Sequence, residues 1–170
     1  MINLSYRFYK NSGISTSSLI IAHGLLGSKL NWNSISQKLS ENLDVISLDL
    51  RNHGSSPHTD SMTLDDMSGD ISNFLSRTEE LQDKRIFLLG HSLGGKVLMH
   101  HALTNPVKST LGYIILDIKP ANTNSKSQLK NLISAMRNIN LKDFSSDELF
   151  RAKMKIDEIL KLYIEVCYFF

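Results

Sequence analysis

Gly90-His91-Ser92-Leu93-Gly94 places a serine between two glycines in the pattern G-x-S-x-G. The pattern follows an apolar run, Ile86 to Leu89, and opens a segment of helical patterning from Leu93 to Leu103. A sharp strand-to-helix turn of this kind holds a serine in a strained backbone state, with its oxygen projecting above the strand end. Side chains two residues to either side would collide there, which accounts for Gly90 and Gly94. The Leu93 N–H, at the start of the helix, is free to donate to a developing oxyanion. The chemistry implied is acyl transfer through a nucleophilic hydroxyl. A rival pattern uses the same residues, since Gly90 to Lys96 also reads G-x-x-x-x-G-K, with Ile114 to Asp117 as its metal-binding strand. A phosphate loop needs Ser or Thr at the next position to hold Mg²⁺, and Val97 has no hydroxyl.

Three further polar clusters repeat the arrangement. His23-Gly24-Leu25-Leu26-Gly27-Ser28 follows the run Leu19 to Ala22, Asp49-Leu50-Arg51-Asn52-His53-Gly54-Ser55 follows Val45 to Leu48, and Asp117 follows Tyr113 to Leu116. The four apolar runs are short, rich in Ile, Leu and Val, and not alternating, which predicts strands buried on both faces as in a parallel sheet. Leu4 to Tyr9 alternates like a further strand. Between the runs lie helical segments. Trp32, Ile35 and Leu39 fall at i, i+3, i+7; Thr63 caps a helix whose apolar face is Leu64, Met67, Ile71, Phe74 and Leu75; Asn105-Pro106 ends the helix that starts at Leu93. Strand and helix alternate, so the fold class is α/β, a mostly parallel sheet flanked by helices. Chemistry in such sheets sits at the carboxyl ends of the strands, where every polar cluster here falls.

With 170 residues, 41% hydrophobic and 21% charged, the chain is sized and composed as one globular domain. A net charge of +2 without a Lys/Arg patch argues against a nucleic-acid partner. The lone cysteine, Cys167, excludes an internal disulfide framework and a cysteine metal cluster, and we expect a buried or stray thiol that is not a nucleophile. No apolar stretch approaches the ~20 residues of a membrane helix, and the first residues lack a secretory apolar core. No Asp or Glu occurs before Glu41 in a Ser-rich segment, a composition that organelle transit peptides share.

The three clusters His23 to Ser28, Asp49 to Pro57 and Gly90 to Lys96 together resemble the α/β-hydrolase family. Within it they are most similar to the group of α/β-hydrolase domain-containing protein eleven, small bacterial esterases and yeast-type ethanol acetyltransferases. Arg51-Asn52-His53-Gly54 followed by Ser56-Pro57, Gly94-Gly95-Lys96, and Ala135-Met136-Arg137-Asn138-Ile139-Asn140 carry that closer likeness. The resemblance implies Ser92 as nucleophile, Leu25 and Leu93 as backbone donors of the oxyanion hole, and Asp117 as the acid. His23, Gly24, Gly90, His91 and Gly94 form the supporting turns. It implies hydrolysis of a small ester or thioester through an acyl-serine, without metal or organic cofactor. Transfer to an alcohol is the nearest variant. A mitochondrial location follows from the eukaryotic members, with the cytoplasm as the alternative.

The resemblance also implies a histidine after a later strand, in the order Ser, acid, His. No histidine follows His101. His23 is expected to brace the loop it opens, and His53 to be structural. His58 is expected in solvent. His91 should diverge from its neighbour Ser92, and His100 and His101 lie roughly 12–13 Å down the helix at 1.5 Å per residue. The expectation is an incomplete hydrolase core, 1–118, followed by a helical lid segment, 119–170. The chain ends on the apolar run Cys167 to Phe170, which favours truncation of a longer hydrolase over a short non-catalytic relative that binds without reacting. Ile156, Ile159, Leu160, Tyr163 and Ile164 read as the buried face of the last helix, with the substrate side of a lid as the alternative.

Overall fold

The computed structural model describes residues 1–120, together with 130, 133, 134, 136–138 and 158. The chain divides into two compact units, Met1–Pro120 and Ala121–Phe170. In the second unit Lys130, Ile133, Ser134, Met136, Arg137 and Glu158 are helical. The apolar stripe expected from Ile156 to Ile164, and Cys167, lie outside the described residues.

The first unit is built on five strands: β1 (Tyr6–Tyr9), β2 (Ser17–Ala22), β3 (Asp44–Leu48), β4 (Arg85–His91) and β5 (Thr110–Leu116). Their order across the sheet is β1-β3-β2-β4-β5. β1 pairs antiparallel with β3, and the other pairings are all parallel. All four parallel strands therefore deliver their carboxyl ends, Ala22, Leu48, His91 and Leu116, to one edge. This is an α/β sheet of the expected class, and each apolar run became a strand.

Alternate residues of the central strands enter two separate cores. Ile20, Ala22, Ile46, Leu48 and Leu88 face a larger core filled by Met67, Ile71, Phe74 and Leu75 of α2 (Leu64–Arg77) and by Val97 and Leu98 of α3 (Leu93–Thr104). Leu19, Ile21, Val45 and Leu89 face a smaller one closed by Trp32 and Leu39 of the segment holding α1 (Asn33–Leu39). Both faces are covered, so hydropathy along these strands does not alternate. β5 departs from the expectation. It pairs only with β4 among the described residues, and Leu111, Ile114 and Leu116 are 50%, 41% and 37% exposed.

Helix α2 starts as expected. Thr63 Oγ1 accepts from the Asp66 N–H at 3.1 Å, and the Asp66 carboxylate accepts from the Thr63 N–H at 3.0 Å. Leu64 is partly exposed, because it is the first helical residue, ahead of the turn on which the buried stripe begins. In the α1 segment Trp32 and Leu39 pack on the smaller core as the spacing requires, and one position departs. Ile35 is exposed and Ser36 is buried. Trp32 belongs to a preceding 3₁₀ turn, Lys29–Trp32, so spacing counted across it is not α-helical. The acid-poor residues before Glu41 are spent on β1, β2 and α1. Leu4 is buried, and the Ile2 N–H donates to Asp70 Oδ1 at 2.9 Å, so this composition belongs to folded structure.

Candidate active site

At the β4–α3 junction Ser92 has φ 49° and ψ −110°, a backbone state that L residues rarely occupy. The reason for the flanking glycines is visible. A Cβ on Gly90 would lie 2.5 Å from the Gly94 carbonyl oxygen, and one on Gly94 would overlap the Ala22 carbonyl. Gly95, which the sequence pattern does not require, is equally confined by Ile118 Cγ2 at 2.6 Å. The turn is tied to both neighbouring strand ends. The Ser92 N–H donates to the Leu116 carbonyl at 3.0 Å, and the Gly94 N–H donates to the His23 carbonyl at 3.1 Å. The Leu93 N–H, first in α3, has no intrahelical acceptor.

The loop after β2 lies directly against this turn. A Cβ on Gly24 would stand 2.9 Å from His91 Nδ1 and 3.4 Å from Ser92 Cβ, so only glycine lets the backbone approach this closely. The Gly24 carbonyl accepts from the Gly27 N–H at 3.0 Å and from His23 Nδ1 at 2.7 Å. Leu26 follows in the left-handed region at φ 61°. Leu25, between them, is partly exposed.

That loop is strapped to the turn after β3. The Leu50 N–H donates to His23 Nε2 at 3.1 Å, and the Leu26 N–H donates to His53 Nε2 at 3.2 Å. Each imidazole therefore carries its proton on Nδ1, which His23 gives to the Gly24 carbonyl and His53 to the Arg51 carbonyl at 2.9 Å. Both rings are buried, and burial pushes the His23 pKa down. Asp49 adds a third strap. Its carboxylate accepts from the Lys29 N–H at 2.7 Å, from Lys29 Nζ, and from the Ser55 N–H at 2.8 Å. Burial would push its pKa up, but the Lys29 ammonium and these N–H groups outweigh burial and hold it below the ordinary carboxylate range. Gly54 turns at φ 54° against that carboxylate, where a side chain has no room. Arg51 is buried on Asp70, with Nε at 2.6 Å and Nη2 at 2.9 Å.

Asp117 follows β5 at φ 52° with its side chain 58% exposed, and His91 Nε2 lies 3.8 Å from its Oδ2. His91 packs edge-on to Trp32 with ring centroids 6.1 Å apart. The remaining histidines are placed elsewhere. His100 meets Asp65 at 2.6 Å, His58 is exposed, and His101 is buried with Nδ1 2.9 Å from the Tyr113 hydroxyl.

The structure thus brings Ser92, Leu93, Gly24, Leu25, His91 and Asp117 to one edge, on three different strand ends. His23 hydrogen-bonds the Gly24 carbonyl of its own loop and accepts from the Leu50 N–H of the β3 turn. Val97 is fully buried in the core, which leaves the phosphate-loop pattern without its hydroxyl. Sequence reasoning missed Lys29, Asp49 and the pairing of His91 with Asp117. The Asp49–Gly54 spacing was a usable signal for the first two. Among the described residues no group of His, Cys, Asp and Glu is arranged to hold a metal, and no helix is long and apolar enough to cross a membrane.

Comparison with known proteins agrees with this geometry. The family model of the alpha/beta hydrolase fold matches residues 18–143. The chain is 36% identical over 142 residues to "sn-1-specific diacylglycerol lipase ABHD11" of Danio rerio, covering 82% of this chain and 43% of that protein. It is 35% identical over 147 residues to a Saccharomyces cerevisiae protein named "Probable alcohol acetyltransferase", covering 81% and 43%. Among solved structures, "Marine microorganism esterase" superposes with a TM-score of 0.75 at 32% identity, covering 97% of this chain and 60% of that one. The chain spans less than half the length of these curated relatives.

Proposed function

The chain belongs to the α/β-hydrolase fold family, and from that premise we propose that it carries the nucleophile side of a serine-dependent acyl-transfer site. The substrate class is a small carboxylic ester or thioester. The observation that supports this most is Ser92 itself, held at φ 49° on a strand-to-helix turn with the Gly24 backbone against it. Strain of this kind persists only where the surroundings over-determine it.

In this reading Ser92 Oγ attacks the acyl carbon. The carbonyl π pair moves onto oxygen, and the Leu25 and Leu93 N–H groups stabilise the oxyanion, each donor being worth ~10²–10³ in rate. Collapse expels the alcohol or thiol, protonated as it leaves, and water then releases the acid from acyl-Ser92. Transfer to an alcohol differs only in the final acceptor; the yeast relative's name supports that variant. Asp117 is the acid that orients an imidazole, and its exposure leaves room for one. The proton step needs that imidazole at Ser92 Oγ. His23, His53, His100 and His101 are engaged elsewhere, and His91 turns toward Asp117 and Trp32. We therefore expect the 170-residue chain alone to turn over slowly or not at all. By resemblance to the eukaryotic relatives we place the protein in mitochondria, which fractionation of cells expressing the tagged chain tests.

The functional test is incubation of the chain with a serine-directed phosphonate, followed by peptide mass analysis, beside hydrolysis of p-nitrophenyl acetate. One phosphonyl group on Ser92, absent in Ser92→Ala, supports the reading. Equal labelling of Ser92→Ala overturns it. Phosphonylation draws the same proton from Ser92 Oγ, so labelling is expected to be slow, and slow labelling without turnover shows that the nucleophile turn is intact. Ester binding with neither favours a non-catalytic binding protein.

A further inference from the structure

We propose that His53 is a positioning residue for the oxyanion donors, acting as one half of a crossed histidine pair with His23. This rests on the reading of Leu25 as a donor. The two loops exchange acceptors. His23, on the loop after β2, takes an N–H from Leu50 on the β3 turn. His53, on the β3 turn, takes an N–H from Leu26 on the β2 loop. The rings lie 5.0 Å apart between centroids.

The consequence for Leu25 follows from peptide planarity. Its N–H shares a trans peptide with the Gly24 carbonyl and points the opposite way. The His23 Nδ1–H bond to that carbonyl, 2.7 Å, therefore aims the Leu25 N–H. The next peptide is aimed by His53, through the Leu26 N–H. Both peptide groups flanking the Leu25 Cα thus end on an imidazole. Leu26 sits at φ 61°, a state that an unheld Leu leaves readily, so the His53 bond is what keeps the second plane in place.

Both rings must be neutral, because each Nε2 is an acceptor. A proton on Nε2 places a donor against the Leu26 or Leu50 N–H and opens the clasp. The charged and titratable groups around the pair are Asp49 and Lys29, bonded to each other, and His91, across Gly24. Arg51 is turned away onto Asp70 and Asp66.

Nuclear magnetic resonance of the whole chain tests this without any substitution. At neutral pH both imidazoles should show the Nδ1–H tautomer, and the Leu26 and Leu50 amides should exchange slowly. On acidification through and below the ordinary imidazole range, exchange at Leu26 and Leu50 should accelerate by more than about tenfold, and the Leu25 amide signal should move with it, while Ile46 and Leu88 stay protected. An Nε2–H tautomer at either ring, or a Leu25 signal indifferent to acidification, overturns the proposal. His53→Ala should slow phosphonylation of Ser92 by roughly 10- to 100-fold, short of losing a donor outright. His53→Gln, whose amide oxygen can accept the same N–H, should return the rate to within about threefold. Equal loss in both variants, with folding intact, also overturns it. If the unsubstituted chain does not label, the missing base is sufficient reason, and the imidazole and amide signals alone decide the clasp.

Discussion

Asp49 and Asp117 occupy the same place relative to their strands and live in opposite environments. Each is the first residue after a parallel strand, on the same edge of the sheet. Asp49 is 1% exposed and its carboxylate accepts from Lys29 Nζ and from two backbone N–H groups. Asp117 is 58% exposed on its side chain and meets one imidazole at 3.8 Å. Two carboxylates in one site take different roles according to environment. Asp49 has its acceptor sites spent on fastening the β2 loop to the β3 turn. Asp117 keeps a carboxylate open toward solvent, which an orienting acid needs if an imidazole is to dock on it. The half of the site that would stabilise an oxyanion is thus fixed by contacts within residues 1–118, and the half that would move the proton is not.

The hardest test of that contrast is Asp70→Asn. It leaves the buried Arg51 guanidinium, which anchors the β3 turn, without its bidentate partner. Breaking a buried pair by removing one member costs about 3–5 kcal/mol. Urea unfolding of the variant should show a loss of that size, and a loss under ~1 kcal/mol would mean the turn holds itself without Arg51.

Next comes the direct comparison of the two carboxylates. Asp49→Asn keeps the shape, loses the charge beside Lys29, and puts an NH₂ where only donors point, so a loss of about 1.5–3 kcal/mol is expected. Asp117→Asn, at an exposed site with one long contact, should change stability by less than ~0.5 kcal/mol. Equal effects in paired urea titrations would erase the distinction drawn between them. Acidification separates them again. The Asp49 pKa is depressed in the folded chain, so its contribution is complete above the ordinary value of 3.8 and is lost as pH falls below it.

The strands were legible in the sequence because burial on both faces leaves apolar runs that do not alternate, and Leu19 to Ala22 is that case. The Ser92 turn was legible because glycine spacing records a backbone collision, here between Gly90 and Gly94. The crossed histidines were only half legible. His23 and His53 are 30 positions apart, and their bonds exist only when Leu26 and Asn52 both adopt the left-handed state, at φ 61° and 62°. Neither residue advertises that conformation as glycine does. The same is true of His91 and Asp117, brought together by the pairing of β4 with β5. Ile35 misled the reading because a 3₁₀ turn, invisible in hydropathy, changes the phase ahead of α1.

Buried His23 and His101 predict a second pH effect. Burial lowers the pKa of His23 and of His101 from 6.5. The unfolded chain therefore binds more protons than the folded one just below pH 6.5, and stability falls as pH drops through that window. Each unit of depression is worth about 1.4 kcal/mol at one site. Thermal melts between pH 7.5 and 5 should show the decline. His101→Gln should flatten part of it, whereas a profile unchanged by that substitution would assign the whole effect to the clasp.

One expected effect has the opposite sign. Ser92 holds φ 49° with a Cβ, a state that costs of order 1–3 kcal/mol for a non-glycine residue. Glycine enters it freely but loses more chain entropy on folding, by roughly 0.5–1 kcal/mol. Ser92→Gly should therefore stabilise the chain by about 1 kcal/mol, read as a higher urea midpoint at unchanged slope. Asp117→Gly relieves another positive φ, 52°, at the exposed end of the contrast, and should gain less, because Asp tolerates the left-handed region. A gain at Asp117 alone would show that the turn around Ser92 has relaxed to suit its serine. A gain at both would show that strain is stored along the whole carboxyl edge, with the buried straps of the β3 turn supplying the stability that sustains it.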